Sequence, residues 1–141
     1  MNAPAPFLTA ILAVLLVSPT FADSGTALSD AQTEALIERA AKEAAEGDNE
    51  CDNKKLLGCM GINSAQCVDL RDAVISECTM PMARQILGGE IDTDNLELQH
   101  AQCTLQLAEA SFDIDARRYF RCMPEGTYEK PDIVEAWLDN R

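Results

Sequence analysis

The chain has 141 residues, with 11 Lys and Arg against 24 Asp and Glu, a formal charge of −13 and a pI near 4.3. That length holds one modest domain. So large an acid excess repels phosphate backbones and anionic lipid headgroups, which argues against nucleic acid and membrane surfaces as partners.

Residues 1–22 read as a secretory signal. Phe7 to Val17 form an eleven-residue apolar run, followed by Ser18-Pro19-Thr20 and then Phe21-Ala22 before the polar Asp23-Ser24-Gly25. Cleavage is expected after Ala22. The n-region has no Lys or Arg, but the apolar run is well short of the ~20 residues that span a bilayer. The expectation is therefore a processed protein with no stable membrane insertion, located in the periplasm or secreted.

After a flexible leader, residues 23–28, a single helical, disulfide-rich domain is expected over 29–141. Ser29 and Gln32 form a capping box, and a helix follows to Gly47, with Leu36, Ile37, Ala40, Ala41, Ala44 and Ala45 as a narrow apolar stripe. Because the stripe is mostly alanine and carries no cysteine, this helix reads as a peripheral, lightly docked element. Asp48 to Asn53 looks superficially like a calcium loop, yet it lacks the sixth-position glycine and has Cys59 where a bidentate Glu belongs. Lys54 to Leu57 predicts one helical turn stopping at Gly58. Asn63 and Gln66 then start a helix from Ser64 to Cys78 with Cys67, Leu70, Val74 and Cys78 on one face.

Pro81 interrupts that pattern, so the chain is expected to kink or restart there and to run on to Leu87 before Gly88-Gly89. Asp94 and Glu97 predict another capping box, opening a long helix that pauses near Ser111 to Asp113 and resumes to Cys122. Pro131 opens a short final helix with Ile133, Val134, Trp137 and Leu138 on its apolar face. No useful strand-period alternation occurs. The fold class expected is all-α: a small disulfide-stapled bundle of four or five helices.

All six cysteines, Cys51, Cys59, Cys67, Cys78, Cys103 and Cys122, follow the signal. An even count in an exported chain implies three bridges. None of the gaps is the two-residue spacing of a dithiol redox motif or a zinc knuckle. On an intact helix Cys67 and Cys78 stand roughly 16 Å apart, and on a continuous one Cys103 and Cys122 would stand roughly 28 Å apart; on that condition neither pair can bond. The favoured pairing joins Cys59 to Cys67, Cys78 to Cys103 and Cys51 to Cys122. The six-cysteine helical plan resembles that of saposin-like domains, but it lacks their two closely spaced cysteine pairs, and no residue role is carried over.

Candidate chemistry is sparse. His100 is the single histidine and reads as a core-edge side chain. A triad with Ser111 would lack a strained nucleophile turn. Met80 and Met82, joined by Met60 and Met123, are of a kind that holds Cu(I), but they equally fill irregular core gaps. Glu109, Asp113 and Asp115 are the one acid grouping with a glycosidase-like look, and Arg117, Arg118 and Arg121 form the one basic concentration. Salt-bridged surfaces are the expected state of both. No catalytic residue, cofactor or metal is assigned. The functional expectation is an exported, non-catalytic binding protein whose acidic surface binds or inhibits a basic partner protein. The alternatives are a structural or assembly accessory of the cell envelope and, behind it, a periplasmic copper carrier.

Overall fold

A computed structural model describes residues 29–47, 50–90 and 95–141. The expected signal, its cleavage site after Ala22 and the leader at 23–28 lie outside these residues. Among the described residues the chain is helical with no strand.

Helix α1 (Asp30–Gly47) begins at the expected box: the Ser29 amide donates to Gln32 Oε1 at 3.0 Å, and the Gln32 amide to Ser29 Oγ at 3.3 Å. A 3₁₀ turn (Glu50–Asp52) leads into α2 (Lys54–Met60). Asn53 Oδ1 caps α2 by accepting from the amides of Lys55 and Leu56. The helix passes through Gly58 and stops instead at Gly61, which takes φ 75°. Gly58 makes no demand on backbone shape, whereas Leu56 and Met60 are buried and hold the extra turn in place.

Helix α3 starts at the Asn63/Gln66 box. It runs as Ser64–Val74, passes through a π-helical turn over Ile75–Thr79 and continues over Met80–Leu87. Cys67, Leu70, Val74 and Cys78 are all buried, the face expected. The interruption at Pro81 is thus a change of helical register. Proline has no N–H for the Glu77 carbonyl, and the ladder shifts so that the Met80 amide reaches the Ile75 carbonyl.

Helix α4 (Leu96–Phe112) ends where Asp113 adopts φ 54°. Asp94, half of the box expected for α4, lies outside the described residues, and Asn95 makes no side-chain cap bond. The predicted pause falls at Asp113, after which Asp115 caps α5 (Ala116–Cys122) by accepting from the Arg118 amide at 2.9 Å. Helix α6 (Pro131–Asp139) closes the chain. The described residues therefore hold six helical segments, more than the four or five expected: α2 is a full helix, and the pause at Asp113 separates α4 from α5.

Two apolar cores divide these elements. The larger is built from α2, the first half of α3, α4, α5 and α6, around Leu105, Ala108, Val74 and Val134, with Trp137, Phe120 and Tyr128 packed against it. The smaller joins Ile37, Ala40 and Ala44 of α1 to Ile75 and Ala83, with Met80 and Leu87 alongside.

Three disulfides staple the larger body: Cys51–Cys67, Cys59–Cys122 and Cys78–Cys103. The last is the pair expected; in the other two, Cys59 and Cys51 exchange the expected partners. The reason is local. The 3₁₀ turn carrying Cys51 packs on the start of α3, where Cys67 points inward. The extra turn of α2 carries Cys59 away from α3 and onto α5, where Arg118 Nε donates to the Cys59 carbonyl at 2.7 Å.

Candidate functional site

The most constrained polar group lies where the π turn of α3 meets α4. The wider π register turns Thr79 inward until it is 1% exposed. Its hydroxyl donates to the Val74 carbonyl at 3.3 Å and lies 2.9 Å from His100 Nε2. With the Nε2–H tautomer the ring donates to Thr79 Oγ1 and leaves the single hydroxyl proton for the Val74 carbonyl. His100 as a residue is only half-buried, but burial of the ring pushes its pKa down from 6.5 to about 4. The imidazole is therefore neutral at physiological pH and serves to close a buried hydrogen-bond chain.

Beside this pair, Cys78 in the π turn bonds to Cys103, three residues after His100. Outside the bridge a groove opens to solvent between the two helices, with Glu77, Gln99, Gln102, Gln106 and Ser111 among its lining. Ser111 and His100 are eleven positions apart on α4, roughly 16 Å along its axis, and do not meet. In the next turn the Thr104 hydroxyl is buried with no hydrogen-bond partner.

The other candidates are dispersed. Met60 belongs to the larger core, Met123 packs at its edge, and Met80 lies against the smaller core. Met82 is 7% exposed. Among the described residues no three His, Cys, Asp or Glu side chains are grouped to hold a metal ion. Glu109 accepts from the Ala116 amide at 3.1 Å and pairs with Arg141. The Arg141 hydrogen bond holds the Glu109 carboxyl below its ordinary value against a smaller effect of burial. Asp113 and Asp115 end one helix and begin the next, so the three acids shape a corner and do not face a cleft. Arg117 bonds Asp139 Oδ1 at 2.6 Å and the Leu138 carbonyl at 2.8 Å, fastening α6. Arg118 crosses to α2, and Arg121 is exposed.

Two features of this region are not singled out by the sequence. Thr79 and Thr104 look like ordinary helical threonines, and only the register shift at Pro81 signals that the first is special. No family model, curated protein or solved structure matches the chain. What stands is a class defined by its own architecture: an all-α domain whose larger core is stapled by three disulfides. No helix among the described residues is long and apolar enough to cross a membrane.

Proposed function

We propose that the protein is exported and acts as a non-catalytic binding protein, offering an acidic surface to a basic partner protein in the manner of an inhibitor or immunity protein. The observation that carries this reading is the stretch from the α5–α6 connection into α6. Glu125, Glu129, Asp132 and Glu135 are all exposed there. None of them takes part in the ion pairs found among the described residues, and Lys130 is the one cation among them. Fixed unneutralised carboxylates on a protein of charge −13 steer cationic partners and raise encounter rates.

Capture from an envelope extract at low salt, using the processed protein as bait, tests the idea. The expected result is a basic partner that is released as salt rises and is no longer captured by a Glu129→Lys, Asp132→Lys, Glu135→Lys variant. Binding insensitive to salt and to charge reversal would overturn it in favour of an envelope accessory recognised through apolar contacts.

A further inference from the structure

The three disulfides differ in exposure and in the charge around them. Cys51 and Cys67 are both 6% exposed. In Cys78–Cys103 the first residue is buried and the second borders the groove that contains Glu77. In Cys59–Cys122, Cys59 is exposed at the end of α2 and Cys122 is half-buried. Cations lie on both of the helices that carry this last bridge. Lys55 lies four residues before Cys59 on the same helix face, Arg118 lies four before Cys122 on its own helix, and Arg121 is its neighbour. Arg118 is held at the spot by its bond to the Cys59 carbonyl, with its guanidinium against Gly61. None of the three cations forms an ion pair among the described residues. Five cations form no ion pair among the described residues, and these three among them lie on the two helices that carry the most exposed disulfide of this strongly acidic chain.

We propose that Cys59–Cys122 is a thiol-exchange site selective for anionic thiols. An incoming thiolate attacks Sγ of Cys59, the exposed residue of the bridge. The Sγ–Sγ bond breaks and its electron pair leaves on Cys122, where Arg118 and Arg121 stabilise the new thiolate. A second thiolate attacks the reagent sulfur of the mixed disulfide and releases Cys59 as a thiolate. Two external thiols are oxidised to one disulfide, and the protein bridge gains two electrons and, from solvent, two protons. The same chemistry at Cys103 requires an anion to enter beside Glu77. Opening the bridge uncouples α2 from the end of α5 while Cys51–Cys67 and Cys78–Cys103 stay closed.

The test uses the whole processed protein in native, mildly alkaline buffer at low salt. It is exposed to limiting glutathione, an anionic thiol, or to cysteamine, a cationic one, then alkylated and peptide-mapped over time. Cys59 and Cys122 are expected to label first under glutathione, roughly tenfold faster than the other four cysteines. Substituting both Lys55→Gln and Arg121→Gln, side chains with no bond to the fold, is expected to slow the glutathione reaction roughly 3- to 10-fold and to leave the cysteamine reaction no slower. Earlier opening of either other bridge, or simultaneous opening of all three, overturns the proposal. So does a double variant whose glutathione rate is unchanged.

Discussion

Lowering the pH should remove stability through one side chain, and the size of the loss follows from the π turn. His100 is the single histidine, and its ring is buried and bonded to Thr79, which places its folded pKa at about 4 against 6.5 for a free imidazole. Folding therefore favours the neutral ring. The stabilisation is complete above pH 6.5, is lost progressively as the unfolded chain takes up a proton below that value, and levels off once the folded ring also protonates near pH 4. At ~1.4 kcal/mol per pH unit the full loss is about 3 kcal/mol, with roughly 2–3 kcal/mol already gone by pH 4.5. The carboxylates whose pKa values fall on folding, Glu34 beside Arg84 and Glu109 beside Arg141, start from 4.5. Their contributions are lost mainly below that value, so over the interval from 6.5 to 4.5 most of the change down to about pH 5 is expected from His100. Urea unfolding of the wild type and of His100→Gln across this interval measures the effect. The glutamine amide can still donate to Thr79 but does not titrate, so the variant should lose less stability than the wild type over this interval, the difference growing to roughly 2–3 kcal/mol by pH 4.5. An imidazole that titrates near 6.5 by proton NMR, or equal slopes for the two proteins, would refute the reasoning.

Two further outcomes follow from burial. Thr104→Val keeps the side-chain shape and removes a buried hydroxyl that lacks a partner, so it should raise stability by about 1 kcal/mol and the thermal midpoint by a few degrees; a lower midpoint would mean that the hydroxyl is satisfied. Ile37→Asp places an unpaired charge at a residue 2% exposed in the smaller core and should undock α1, with hydrogen exchange showing lost protection over 33–47 while α4 keeps its own. Arg84→Gln should leave the urea midpoint nearly unchanged, because the Arg84–Glu34 pair that crosses the same interface is solvent-exposed.

The elements legible in the sequence are those whose signals are local. Ser29 with Gln32 and Asn63 with Gln66 are reciprocal caps readable from spacing, and both are formed. The docked face of α1 is its apolar stripe, and the separation of Cys67 and Cys78 along α3 excluded that pairing; Cys103 and Cys122 are also unpaired with each other, but they lie on separate helices, so the distance along one continuous helix is not the reason. The cysteine partners were less accessible, because they depend on how α2 leaves Gly61. One additional helical turn moves Cys59 from the neighbourhood of α3 to that of α5. The π turn is intermediate: Pro81 announces that the hydrogen-bond ladder must change, but whether the chain kinks or shifts register is decided by the buried environment that receives Thr79. The pairing of Glu109 with Arg141 is tertiary in the same sense, since it needs α6 to return beside α4.

The covalent frame also bears on how so acidic a chain can hold a fixed surface. A charge of −13 opposes compaction through self-repulsion, and the ion pairs found among the described residues are mostly exposed, where each contributes little. The bridges act differently. With separations of 16, 25 and 63 residues, each taken alone removes unfolded-chain entropy worth about 3–4 kcal/mol, a contribution that does not require any surface charge to be neutralised. Helix α6 lies outside the frame, yet Arg117 fastens its end, Arg141 reaches Glu109, and Val134 and Leu138 enter the larger core. The carboxylates from Glu125 to Glu135 therefore sit in or just before a helix whose position is set by burial and by the stapled body, and not by counter-charges of their own. Charges held this way need little further ordering on binding, and the proposed basic partner would draw on that pre-organisation.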